Sequence, residues 1–182
     1  MYVADGAGSG TWTEAAGTVT QGFWDYNDLT TASTPIALTT PGTDYELTND
    51  GAGASTLLTY ALDGLPNIWD VATDRFVFTA GSVLALGDTV DFRLDVALTT
   101  TNVNTALTVA LEIDPAGSPY LIPLIPFSNF KSAGTYDIIR WMGLYMGNTA
   151  TLNGGARLIA QADTAGATIQ VNGWYIRALH SN

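Results

Sequence analysis

The chain has 182 residues, with 17 acidic side chains against six basic ones, and its formal charge of -11 repels phosphate backbones and anionic lipid, so nucleic acid and membranes are not expected partners. Charged residues make up only 13% of it and cysteine is absent, which excludes disulfides and thiol chemistry and leaves the fold to packing or to oligomerisation. The length suits one domain with a real core, as all-β domains often reach this size undivided.

The start, Met1-Tyr-Val-Ala-Asp-Gly6, has neither a basic segment nor an apolar one after it, so no secretion signal is expected, and no later stretch is apolar enough to span a bilayer. Residues 1–22 are rich in Gly, Ala and Thr, and their large side chains Tyr2, Val3, Trp12 and Val19 follow no sustained period. They are expected to form an extended N-terminal arm, either loose or ordered against a neighbouring subunit, with the folded domain occupying 23–182.

Short strands follow at Pro35 to Thr40, at Tyr45 to Leu47 and at Leu57 to Leu62, separated by turn signals at Pro41-Gly42, Asn49 to Gly53 and Asp63-Gly64. Arg75 to Thr79 is another. From Asp88 to Thr99 the alternation is strict: Val90, Phe92, Leu94, Val96 and Leu98 share one face, and Asp91, Arg93, Asp95, Ala97 and Thr99 the other. Thr105 to Asp114 repeats it with Leu107, Val109, Leu111 and Ile113, and the two strands are expected to pair as a hairpin whose oily face a second sheet covers.

Pro119, Pro123 and Pro126 punctuate the next apolar stretch, which predicts an edge strand or a segment at a subunit contact, because proline cannot donate to a ladder. Gly134 to Gly147 carries Ile138, Met142, Leu144 and Met146 on one face and Ile139, Trp141 and Tyr145 on the other. Both faces then require cover, one from the core and one from a partner subunit or another element. After a strand from Ala156 to Asp163, the last strand runs from Thr168 to Leu179. Ile169 and Val171 there have the opposite parity to Trp174 and Ile176, which predicts a bulge or a close backbone approach at Gly173. About ten short strands closed by a long C-terminal one predict an all-β fold, an antiparallel β-sandwich of the jelly-roll kind.

Enzymatic chemistry finds little support. His180 is the single histidine and lies near the end, so a triad or a histidine metal site would need the terminal tail, and neither a P-loop nor a dinucleotide fingerprint occurs. Asp91 and Asp95, with Glu112 expected near them, resemble a carboxylate pair, but lateral pairing with Arg93 on a polar sheet face explains them better. Asp25, Asn27, Asp28, Asn49 and Asp50 suit turns better than calcium, and Trp24, Tyr26 and Trp69 suit packing better than sugar stacking. No enzyme, cofactor or metal is expected.

The alternating run of Thr89 to Asp114, the strand Gly134 to Gly147 and the closing Asn172-Gly-Trp-Tyr-Ile-Arg177 resemble the trimeric jelly rolls of the tumour-necrosis-factor and complement-globular-head type. Trp24 to Asp28, Leu47 to Gly53, Lys131 to Tyr136 and Val171 to Tyr175 look like segments of small virion proteins of tailed bacteriophages. The resemblance implies a homotrimer on the outer capsid surface, made in the host bacterial cytoplasm, acting as a decoration (cement) protein with the major capsid protein as partner. A head-fibre or tail-fibre tip that binds a host-surface glycan or receptor is the alternative. On this reading Trp141, Tyr145, Tyr120, Phe127 and Trp174 form the trimer interface, and Tyr2, Val3 and Trp12 anchor the arm to the capsid.

Overall fold

A computed structural model describes residues 2–4, 10–12, 19–27, 35–48, 54–59, 68–70, 72–79 and 84–181. Fourteen strands and one short helix run through them: β1 Tyr2–Ala4, β2 Gly10–Trp12, β3 Val19–Asn27, β4 Ile36–Leu38, β5 Tyr45–Glu46, β6 Ala54–Thr59, β7 Trp69–Asp70, β8 Arg75–Phe76, β9 Thr89–Thr100, β10 Thr105–Ile113, β11 Tyr120–Phe130, β12 Gly134–Tyr145, α1 Thr149–Gly154, β13 Ala156–Ala162 and β14 Ala167–Ser181. β1 and β2 pair only with each other. The rest form two antiparallel sheets. One has the order β12-β9-β14-β3-β6 with β4 also on β14, and the other has the order β11-β10-β13-β8-β7 with β5 also on β13.

The connections make this a jelly roll. β9 to β10, β11 to β12 and β13 to β14 each cross from one sheet to the other, and the last strand inserts between β3 and β9. The predicted hairpin of β9 with β10 is therefore corrected. β9 pairs with β12 and β14, whereas β10 pairs with β11 and β13, and the two strands meet across the core. Alternation along each strand fits either arrangement, because it says which side chains are apolar and not which strand lies beside them. At the corner the Thr100 and Thr105 hydroxyls bond at 2.8 Å, which satisfies two groups buried by the crossing.

The face predicted for β9 is the buried one: Val90, Phe92, Leu94, Val96 and Leu98 are all 2% exposed or less. Leu107, Val109, Leu111 and Ile113 of β10 are equally buried. At one end Phe76 joins an aromatic cluster, with ring centroids 4.7 Å from Trp69, 5.3 Å from Phe92 and 5.4 Å from Trp174. Gly155 lets β13 enter beside β8: its φ is +65°, and a Cβ there would lie 2.5 Å from the Phe76 carbonyl oxygen.

β14 breaks its register between Val171 and Gly173, the position predicted for a bulge. The extra residue turns Ile169 and Val171 inward before the break and Trp174, Ile176 and Ala178 inward after it. β11 is an edge strand as its prolines predict, and Pro123 stands opposite Ala110 of β10. α1 was not legible in the sequence, being one and a half turns, with Asn148 Oδ1 accepting from the Thr151 N–H at 2.8 Å. The strand β3 begins at Val19, upstream of the expected boundary at 22, and pairs with β14 up to Ser181.

Candidate functional site

β12 is the opposite edge from β6 in its sheet, so its side chains alternate between the core and the outside. Ile138 and Leu144 face inward and are 6% exposed, whereas Ile139, Trp141 and Tyr145 face outward at 52%, 59% and 61%. None of the described residues covers this second apolar row. An exposed row of large apolar residues on a flat strand marks an interaction surface.

Register carries the row across the sheet. Trp141 stands opposite Arg93 of β9, Arg93 opposite Tyr175 of β14, and Tyr175 opposite Asp25 of β3. The Trp141 and Tyr175 rings meet edge-on, with centroids 5.9 Å apart, and the Arg93 guanidinium carbon lies 5.8 Å from the Trp141 ring centroid. Arg93 is held there by Asp95, which accepts from its Nε at 2.9 Å and from a second guanidinium nitrogen. One row along, Arg177 donates its Nε to Asp91 at 3.0 Å. These pairs form a platform in which a cation is braced beneath an exposed indole.

The bulge opens a cleft of about 290 Å³ beside this platform. It is lined by Asn172, the extra residue of β14, by Asp137 and Ile139 of β12, and by Arg93 and Asp95 of β9. The Asp137 carboxylate has no hydrogen bond or ion pair with any described residue. The cleft therefore combines an apolar flank with an unengaged carboxylate.

Two of the expected interface residues, Trp141 and Tyr145, lie on this face, and Tyr120 lies elsewhere, at the start of β11, half exposed, with its hydroxyl 2.6 Å from the Thr151 hydroxyl. Trp174 is corrected: at 3% exposure it packs against Trp69 and Phe76 inside the sandwich, because the bulge turns it inward, and it is not available to a neighbour. Trp69 is core as well, at 4%. The side chains of Phe127, Tyr2, Val3, Trp12, Trp24, Tyr26 and His180 lie outside the described residues, as do Asp28, Asn49 and Asp50.

Glu112, expected near Asp91 and Asp95, lies in the other sheet, where Arg157 bridges it to Glu46, which also pairs with Arg75. The hydrogen bond to Glu112 is the main cause that holds the Arg157 guanidinium above its ordinary pKa. Asp91 and Asp95 are each tied to an arginine of their own. Among the described residues no group of three His, Asp or Glu side chains is placed to hold a metal, and no helix is long and apolar enough to cross a membrane.

The fold and this face define a jelly-roll sandwich with one open aromatic flank. No protein-family model matches the chain, and no curated protein does. Among solved structures it is similar to a chain of the cowpea mosaic virus empty virus-like particle, at 10% identity over 94% of this chain and 87% of that one, with a TM-score of 0.33. A chain of the naturally occurring empty particles of the same virus, the top component, is 9% identical over 93% and 88%, with a TM-score of 0.32.

Proposed function

We propose that the protein is a non-enzymatic structural component of a virion that assembles as a homotrimer and decorates the outer capsid surface, with the major capsid protein as its second partner. The observation that carries the assembly is the outward row of Ile139, Trp141 and Tyr145, whose side chains are all more than half exposed on a single edge strand. Burying such side chains is worth about 1.5–3 kcal/mol each for the aliphatic and aromatic types, and three copies around an axis bury them together. The virion setting rests on the bacteriophage-like segments, including Lys131 to Tyr136, which leads into β12, and Val171 to Tyr175, which holds the bulge. Three weak capsid contacts on one trimer bind far more tightly than one.

A fibre tip that binds host-surface glycan is the second reading, favoured by the exposed Trp141 ring beside a cleft with carboxylate and amide walls. The two readings exclude each other at this face, since an interface that buries Trp141 leaves no ring for a sugar. Light scattering on the full chain and on Trp141→Ser, with binding to undecorated capsids in parallel, separates them. Decoration predicts a trimer that saturates capsids and a variant that dissociates and releases them. A monomeric wild type that ignores capsids but binds glycan through Trp141 would replace the decoration reading with the adhesive one.

A further inference from the structure

The six basic residues of the chain are all described, and four of them, Arg75, Arg93, Arg157 and Arg177, are paired with carboxylates of their own subunit. The two left without a carboxylate partner among the described residues are Lys131 and Arg140, and both lie at the β11–β12 edge of the sandwich. Arg140 stands opposite Leu94, so its backbone parity is that of the core side, yet the residue is exposed. One guanidinium nitrogen donates to the Ile139 carbonyl at 2.9 Å. A charge of core-side parity on an edge strand also blocks another strand from adding there, so a partner that meets this edge does so without extending the sheet.

The unengaged carboxylate of Asp137 sits on that outer face, in the cleft. Edge and face are thus different patches of opposite charge, as a closed ring of head-to-tail contacts requires. We propose that Arg140 of one copy inserts into the cleft of the next and pairs with its Asp137, so that the edge of each sandwich locks against the aromatic face of its neighbour. This rests on the homotrimer reading and adds its register. The planar guanidinium matches a carboxylate in a two-bonded fork, and Ile139 flanks its apolar stem. The contact gives one such pair per interface, and fixes which face meets which edge, a role that electrostatic complementarity fills more readily than raw affinity.

The test compares wild type, Asp137→Arg, Arg140→Asp and the double swap by light scattering across a dilution series, with thermal unfolding as a control on the fold. Each single variant is expected to dissociate at least about tenfold more readily than wild type, and the double swap to recover most of that loss, because it restores opposite charges across the interface. Wild-type trimers are also expected to loosen at high salt. A trimer indifferent to both single variants, or a double swap no better than either, overturns the latch and leaves the trimer standing. A wild type that is monomeric at every concentration overturns both.

Discussion

Asp70 ends β7 and turns the chain into β8. Its carboxylate accepts from the Thr73 hydroxyl at 2.7 Å and from the Ala72 N–H at 3.0 Å, and these bonds, the Thr73 one first, hold its pKa below the ordinary 3.8. A depressed carboxyl contributes stability that is present above its unfolded pKa and is lost as pH falls through the folded one. Asp70→Asn keeps an acceptor but loses the charge, so its deficit in denaturant midpoint against wild type is expected to be full above about pH 5 and to close as the solution is acidified below about pH 4. A deficit unchanged across that range would mean that the turn does not depend on the charge. Turn chemistry of this kind is local, and the sequence carries it: Asp70 and Thr73 are three residues apart. Trp174 shows the opposite case. Its side chain was expected at an interface because an aromatic beside glycine on a last strand reads the same whether it faces a neighbour or the core, and only the packing of Trp69 and Phe76 against it decides.

The bulge in β14 decides which of its side chains are inside. Val171 stands opposite Val96 and Gly173 opposite Asp95, so the ladder is continuous on the β9 side and Asn172 is the residue with no partner there. Deleting Asn172 is therefore expected to leave an unbroken alternation in which Val171, Trp174 and Ile176 still face inward. Deleting Tyr175 instead turns Ile176 and Ala178 outward and Arg177 inward. Thermal unfolding followed by circular dichroism should give a cooperative transition for the Asn172 deletion and none for the Tyr175 deletion. Two cooperative transitions would show that the bulge does not set the phase. This element was legible because parity changed within one strand. The crossing of β9 to β10 was not, because the four residues between them, 101–104, suit a hairpin and an inter-sheet arch alike. What separates the two is which strands already flank each one, and that comes from β12, β13 and β14, far along the chain.

At the scale of the molecule, two sheets share one core, and Phe76 is where the short strands of the second sheet reach it. The side chain is 1% exposed and touches the rings of Trp69, Phe92 and Trp174, which belong to both sheets. Phe76→Ala is expected to cost about 3–5 kcal/mol, read as a fall in denaturant midpoint at unchanged slope, because the cavity is lined by rings that cannot all collapse into it. A loss under about 1 kcal/mol would mean that the aromatic cluster repacks freely. The outer surface is organised in the same long-range way. Glu46, Arg75, Glu112 and Arg157 come from four strands to make one ion-pair network, and Trp141, Arg93 and Tyr175 come from three to make one platform.

The sequence alone determined the class of fold, the buried faces of β9 and β10, the edge position of the proline-bearing β11, the bulge near Gly173 and the outward row of Trp141 and Tyr145. The fold class follows from the succession of strands, and each of the others from period-two alternation, its interruption or a proline, written within a single strand. The tertiary structure decided which strands are neighbours. It moved Glu112 away from Asp91 and Asp95, took Trp174 into the core, set Tyr175 beside Trp141 and opened the cleft between Asn172 and Asp137. Hydrogen-bonded pairing between strands uses backbone groups that every residue except proline possesses, so the side-chain pattern that fixes a strand's face says little about its partner.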